Sequence, residues 1–419
     1  MAENGKRILV IGGGMAGMTA ALEAAEAGAG VVLVEKEAYL GGRVARMNQY
    51  FPKLCPPTCG LEINFRRIKN NPRIEVLTQA SVEKISGRPG AYEVAVKVEP
   101  RYVTPACTLC GECAKACPAE RPDEFNYGLG KTKAAYLPHA MAFPALYVID
   151  RKACPEGCTA CRDACSYRAI DLTQQPETKT FQVAAVVAAT GWCPYEAGRL
   201  DLLGYGRYPD VITNVVMERL ASPNGPTGGK ILRPSDGKEP KSVVFVQCAG
   251  SRDENHLPYC SGVCCAASLK QATYVRAAYP DAEITIFYID IRTPGRLEDF
   301  YNKVAGQGIR LVKGKAAKVE QDGGTGALLV IAEDVMAGRK ITQRADLVVL
   351  ATGIVPNTEG LPADFVRDEF GFLMNPPGRT GVYAAGCVRR PEEVSATVQD
   401  GTAAALKAFQ CAVRSASHG

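Results

Sequence analysis

The chain has 419 residues, of which 47% are hydrophobic and 22% charged, with a formal net charge of +5. That apolar content can fill several cores, about two to four domains of ~100–200 residues. Acidic and basic residues are interspersed, which excludes a nucleic-acid role, and no apolar run nears the ~18 residues of a membrane span.

The first predicted strand is Arg7-Ile-Leu-Val-Ile11, with no charged and apolar leader ahead of it, so a cytoplasmic location is expected. Cysteines there stay reduced, and clustered ones read as metal ligands. The strand enters a glycine turn, Gly12, Gly13, Gly14, Met15, Ala16 and Gly17, in the spacing GxGxxG. Its first glycine permits a tight turn, its second lets the backbone approach a pyrophosphate, and its third lets helix and strand pack closely. A helix from about residue 16 to 27 presents its N-terminus to the anion, and a second strand over 31–35 ends on Glu35, placed to bond ribose hydroxyls. Lys36 follows it. Gly42 and Arg43, in Gly41-Gly-Arg43, come soon after, as in many FAD enzymes.

Short alternating strands over 74–99 include Val82, which with Lys36, Ala189, Thr190 and Gly191 is a candidate contact of the same cofactor. Over 101–172 the chain changes character. Cys107, Cys110, Cys113 and Cys117 precede Pro118 in C-x-x-C-x-x-C-x-x-x-C-P, the bacterial ferredoxin run. Cys154, Cys158, Cys161 and Cys165 form a second group, with one extra residue in the first gap and Ser166 in place of the usual proline. In two-cluster ferredoxins the fourth cysteine crosses to the other cluster. One set is therefore Cys107, Cys110, Cys113 and Cys165, and the other Cys154, Cys158, Cys161 and Cys117.

A buried strand over 181–189 then ends in Ala189, Thr190 and Gly191, and a linker covers 221–241. A second βαβ unit has its strand at 242–247, its helix at about 263–278 and its next strand at 283–289. Val-Val-Ala-Ala-Thr-Gly (186–191) and Val-Val-Leu-Ala-Thr-Gly (348–353) repeat, as two crossings between βαβ domains would. In the second βαβ unit no GxGxxG follows the strand. Cys248, Cys260, Cys264 and Cys265 stand there instead, open to reading as a cluster site, buried structural cysteines or zinc ligands. The stretch 381–387 resembles a C-terminal flavin motif, with Gly386 and with Cys387 where an aspartate is usual; a helix over about 395–413 closes the chain. Cys55 and Cys59 are open between a redox or ligating role and a structural one. Cys193, Cys387 and Cys411 read as plain core or surface residues, and His139, His256 and His418 as isolated.

Together, Gly41-Gly-Arg43, Tyr50-Phe-Pro52, Pro122-Asp-Glu-Phe-Asn126, residues 233–240, Cys248-Ala-Gly-Ser-Arg-Asp253 and Tyr259-Cys-Ser-Gly-Val-Cys-Cys265 resemble the A-subunit family of heterodisulfide reductases. The resemblance implies an α/β, thioredoxin reductase-like flavoprotein with two dinucleotide-binding domains and an inserted ferredoxin-like domain. The expected domains are 1–100, 176–240 and 346–419 for FAD, 101–175 for the insert, and 241–345 for a degenerate NAD(P)-like domain. It implies FAD and three 4Fe–4S clusters, the third held by Cys248, Cys260, Cys264 and Cys265, with Lys270 and Glu218 near the flavin. The short form resembles the A subunits of quinone-interacting membrane-bound oxidoreductase complexes. That implies an electron-transfer subunit between quinone and adenylylsulfate reductase. It would be peripheral to the membrane through a larger flavo-iron–sulfur subunit together with a haem-bearing membrane subunit. Alternatives are a bifurcating heterodisulfide reductase-type subunit, an NAD(P)H-dependent flavoprotein reductase, and a structural subunit whose flavin never turns over.

Overall fold

The computed structural model describes residues 7–361, 365–378 and 381–416. The chain divides into two units, one of residues 1–45, 58–192 and 356–419, the other of 46–57 and 193–355.

The first unit is built on a parallel five-stranded sheet, in the order Val382–Ala384, Ala185–Ala188, Arg7–Ile11, Gly30–Val34, Ile74–Leu77. Its central strands are apolar without alternation, as strands covered on both faces must be. Leu9 pairs with Val32 on one side and Val186 on the other, and all three are fully buried. The helix Met15–Glu26 crosses from the first strand to the second and packs on the C-terminal helix Val394–Ala416. An antiparallel three-stranded sheet, Ala80–Arg88, Ala91–Val98 and Glu177–Val183, closes the core; Val82 is packed there, at an irregularity in the ladder. The stretch expected as one strand over 181–189 is two, in different sheets. Phe181 and Val183 serve the antiparallel sheet and Val186 to Ala188 the parallel one.

Between the two strands Ala91–Val98 and Glu177–Val183 the chain leaves to form the insert. It carries the short helices Glu112–Ala116 and Ala160–Asp163, two small antiparallel ladders and a bridge from Val103 to Ile170. Its small core is Val103, Ile149, Ile170 and alanines, together with cysteines. Tyr39 of the dinucleotide-binding part packs edge-on against Phe125 and His139 of the insert, and these two stack at 4.6 Å. His139 is thus a member of an aromatic cluster, not an isolated histidine.

The second unit repeats the plan. Its parallel sheet runs Val211–Thr213, Leu347–Thr352, Ser242–Ala249, Glu283–Tyr288, Arg310–Lys313, backed by an antiparallel meander of Ala316–Gln321, Leu328–Asp334 and Arg339–Ala345. The two halves of the sequence repeat occupy matching places: Ala185–Ala188 and Leu347–Thr352 each lie beside the first strand of their own βαβ unit. Residues 221–241, expected as a linker, begin at the last residue of the helix Asn214–Ala221 and run on through turns. Arg233 there makes ion pairs with Asp210 and Asp346.

Candidate functional site: a dinucleotide cradle and three cysteine sets

In the first unit the glycine turn is shaped by what each added carbon would meet. A Cβ on Gly12, where φ is +104°, would lie 2.3 Å from the Ala189 carbonyl oxygen, and one on Gly17 would lie 1.7 Å from that of Gly12. These two positions pack the turn against its own strand and the neighbouring one. A Cβ on Gly14 would meet nothing within 4 Å. Gly14 is also the N-cap of the helix Met15–Glu26, which has no side-chain cap and no acid in its first turn. Open space over uncapped N–H groups suits a pyrophosphate. Glu35 lies across this turn: one carboxylate oxygen accepts from the Gly13 N–H at 2.6 Å, the other from the Glu37 N–H at 2.8 Å. Burial pushes its carboxyl up to about 7, against the lowering effect of those bonds. Lys36 is exposed beside it.

Gly42 sits under the turn, its Cβ position 3.0 Å from Gly14 Cα. Arg43 donates from Nε to the Trp192 carbonyl at 2.9 Å and from Nη1 to the Tyr127 hydroxyl at 3.2 Å, and its guanidinium lies over both rings. It therefore ties the cradle to the insert. Thr190 donates its hydroxyl to the Asn357 carbonyl, and the Asn357 N–H donates to Gly191. Gly386 donates its N–H to Asp400 at 2.7 Å. Cys387 is buried, its thiol facing the Glu392 carbonyl at 3.5 Å and Thr397. Asp400, from the C-terminal helix, thus holds Gly386 and pairs with Arg389 through its other oxygen. The cradle fits a dinucleotide in each of these respects.

In the insert both cysteine runs take the same local form: a loop, a short helix carrying the third cysteine, and the fourth just beyond it. Cys107, Cys110, Cys113 and Cys165 line one small cavity, with Tyr147 and Tyr167. Burial, then the neighbouring Cys107 and Cys110, raises the Cys113 thiol to about 11. Burial also raises the Cys154 and Cys161 thiols, and Cys117 and Cys158 lie close enough to add to both. The chain therefore gathers four cysteines twice, with Cys165 and Cys117 exchanged between runs. The Ala169 N–H donates to Cys165 Sγ at 3.4 Å.

In the second unit the ladder between Ser242–Ala249 and Leu347–Thr352 is irregular between Val246 and Ala249, and Cys248 there adopts φ +54°. Such a bulge re-aims a side chain at a strand end. Cys264 and Cys265 open the helix Cys264–Ala278, and Cys260 lies on the loop before it. Burial, then Cys248, Cys265 and Cys260, drives the Cys264 thiol far upward, and burial raises Cys248 to about 11. Thiols crowded this way keep their protons until a metal centre, by its own positive charge, displaces them. Two buried polar side chains nearby have no partner: Gln247, next to Cys248, and Ser268, one turn after Cys264. Sulfur acceptors would satisfy their donors. Among the described residues no three His, Cys, Asp or Glu side chains are gathered as a single ion requires. Each set nevertheless brings four thiols together, the donor chemistry that a four-iron core takes.

The same helix carries Lys270. Its ammonium lies 2.9 Å from Glu218 and 2.7 Å from the Gln49 carbonyl, with side chains only 3% and 8% exposed for Lys270 and Glu218. Glu218 also accepts from the Asn48 N–H, Gln271 Nε2 and the Tyr274 hydroxyl. Asn48, Gln49, Gln271 and Tyr274 carry no motif and were not legible in the sequence. Nor was the bond between the Tyr195 hydroxyl and His256 Nδ1 at 2.8 Å, which makes His256 a bonded residue rather than an isolated one. Cys55 and Cys59 are exposed, Cys193 is half-buried and Cys411 buried. His418 lies outside the described residues. None of the helices among the described residues is long and apolar enough to cross a membrane.

The FAD dependent oxidoreductase family matches residues 7–84. The A subunit of the ferredoxin/F420H2-dependent CoB–CoM heterodisulfide reductase of Methanosarcina acetivorans is 40% identical over 97% of this chain and 53% of its own length. The second iron–sulfur A subunit of the CoB–CoM heterodisulfide reductase of Methanopyrus kandleri is 39% identical over 96% of this chain and 64% of its own. The chain thus spans about half to two-thirds of the curated relatives it matches. The thioredoxin reductases of T. acidophilum and Lactococcus lactis superpose with a TM-score of 0.55 each, at 16% and 14% identity, over 98% of this chain and 100% and 99% of theirs. Those likenesses establish the fold as that of a flavoprotein with two dinucleotide-binding domains. Over almost its whole length the chain is thus similar to the A subunits of heterodisulfide reductases, and its N-terminal segment matches the FAD dependent oxidoreductase family.

Proposed function

We propose that the chain is a FAD- and iron–sulfur-containing electron-transfer subunit of the heterodisulfide reductase type. The observation that carries this is the third cysteine set, standing at the strand end and helix start where a second dinucleotide turn would lie. FAD would be held by Gly12 to Gly17, Glu35, Gly42, Arg43, Thr190, Gly191 and Gly386. Clusters would be held by Cys107, Cys110, Cys113 and Cys165, by Cys117, Cys154, Cys158 and Cys161, and by Cys248, Cys260, Cys264 and Cys265. Bound, these groups supply the exchange between two-electron and one-electron transfer. The chain binds the pyrophosphate at a helix N-terminus and offers Glu35 to the ribose. It holds Lys270 as a buried cation against Glu218, and leaves Cys110 alone of the twelve proposed ligand cysteines exposed.

The relatives named above are heterodisulfide reductase subunits, one of them named for ferredoxin as well. They favour this reading over a quinone-to-adenylylsulfate reductase relay, which rests on sequence resemblance alone. Purification of the native complex separates the two. Co-purifying heterodisulfide reductase-type subunits support the proposal; a haem-bearing membrane subunit supports the relay. Rapid bleaching of the flavin by NADH or NADPH alone would overturn both in favour of a pyridine-nucleotide reductase.

A further inference from the structure

Two guanidiniums stand at the rim of the third cysteine set, bridged by one carboxylate. Arg252, in left-handed backbone at φ +57°, lies close enough to Cys248 to oppose the upward shift of its thiol. Arg292, beyond the strand Glu283–Tyr288, lies within electrostatic reach of Cys260. Asp290 accepts from Arg252 Nη1 at 2.5 Å and from Arg292 Nε at 3.3 Å, and its backbone carbonyl faces Cys265 Sγ at 3.7 Å. Three of the four cysteines therefore adjoin this group, Cys248 beside Arg252, Cys260 beside Arg292 and Cys265 against the Asp290 backbone. Asp290 and Arg292 are about half exposed, at 46% and 49%. Exposed pairs of this kind add only ~0–1 kcal/mol to stability, so folding alone gives little reason for two cations and one anion here.

We propose that Arg252 and Arg292 raise, and Asp290 lowers, the reduction potential of the centre held by Cys248, Cys260, Cys264 and Cys265. Reduction adds one negative charge to that centre. A guanidinium beside a ligand sulfur stabilises the added charge, and a carboxylate beside it opposes it. Asp290 also ties the two guanidiniums to one carboxylate, which keeps both beside the cysteine set. The inference rests on the reading that this set holds a cluster.

The test is an EPR-monitored redox titration of the full chain carrying FAD and clusters, with iron content measured in parallel. The third centre is identified by the signal lost in Cys260→Ser. Arg252→Gln and Arg292→Gln are expected to lower its potential, by about tenfold in the one-electron equilibrium for Arg252, or ~59 mV. Asp290→Asn is expected to raise it, and Arg292→Lys to restore most of the loss. Full iron with unchanged potentials, or shifts of one sign in all three charge-removing variants, overturns the proposal while leaving ligation intact. Iron sufficient for only the insert's two sets in the unmutated chain overturns the ligation reading, and the proposal with it. If Arg252→Gln alone sheds iron, the opposite shifts of Arg292→Gln and Asp290→Asn decide the matter.

Discussion

The buried pair of Lys270 and Glu218 gives a prediction with an internal asymmetry. At 2.9 Å the Coulomb attraction is ~6 kcal/mol for an effective dielectric of about 20. Desolvation of both charges cancels much of it, so the intact pair contributes little net stability, but removing one partner strands the other, typically at a cost of ~3–5 kcal/mol. The two halves are not equally provided for. Without Lys270, Glu218 keeps three donors: the Asn48 N–H at 2.9 Å, Gln271 Nε2 at 2.7 Å and the Tyr274 hydroxyl at 3.2 Å. Without a carboxylate at 218, Lys270 keeps the Gln49 carbonyl at 2.7 Å and the Tyr274 ring, its ammonium 5.8 Å from the centroid. Glu218→Gln is therefore expected to cost more than Lys270→Met. Two units unfold in this chain, so a single midpoint is the wrong measure. Amide hydrogen exchange along the helix Cys264–Ala278 reads the local cost: ~3 kcal/mol accelerates exchange roughly a hundredfold. The double variant Glu218→Leu/Lys270→Met should recover most of the protection. Acceleration of less than about tenfold in Glu218→Gln, or a double variant as poorly protected as the singles, would refute the reasoning.

Three other expectations follow from the cradle and the insert. Glu35 has its pKa raised in the fold to about 7 from 4.5, so the flavin-free chain should lose stability as pH rises between those values, by up to ~3 kcal/mol; amide hydrogen exchange in the strand Gly30–Val34, corrected for its intrinsic pH dependence, should show this slope, and Glu35→Gln should flatten it. Gly14→Ala should fold normally yet bind less FAD, since its Cβ points into space open for pyrophosphate. Gly17→Ala, with its Cβ 1.7 Å from the Gly12 carbonyl oxygen, should fail to fold soundly; far-UV circular dichroism and the flavin-to-protein absorbance ratio separate the two. Cys165→Ser should abolish the EPR signal that Cys107→Ser abolishes, and Cys117→Ser the one lost in Cys154→Ser; pairing within each run instead would rule out the exchange.

What the sequence showed and what it hid divide along one physical line. The glycine turn, the terminal acid and the repeated Val-Val-x-Ala-Thr-Gly strands are local patterns, and each constrains its own backbone closely enough to be read alone. The cysteine runs are local too, and only the exchange of Cys117 and Cys165 had to be borrowed from two-cluster ferredoxins in general. By contrast, Arg43 meets Tyr127 and Trp192 across 84 and 149 residues, and Asn48 meets Glu218 across 170. No spacing encodes such meetings. The third set belongs to both kinds. Cys260, Cys264 and Cys265 are close in sequence, whereas Cys248 joins them only because the ladder breaks after Val246 and turns its side chain aside. Arg252 could have been noticed as a cation four residues beyond a cysteine, but its meaning depends on Asp290 and Arg292, which a separate strand delivers. The residues best able to tune a buried centre are therefore those least visible in one dimension, because tuning needs charges that surround the centre from several elements, while ligation needs only a short loop.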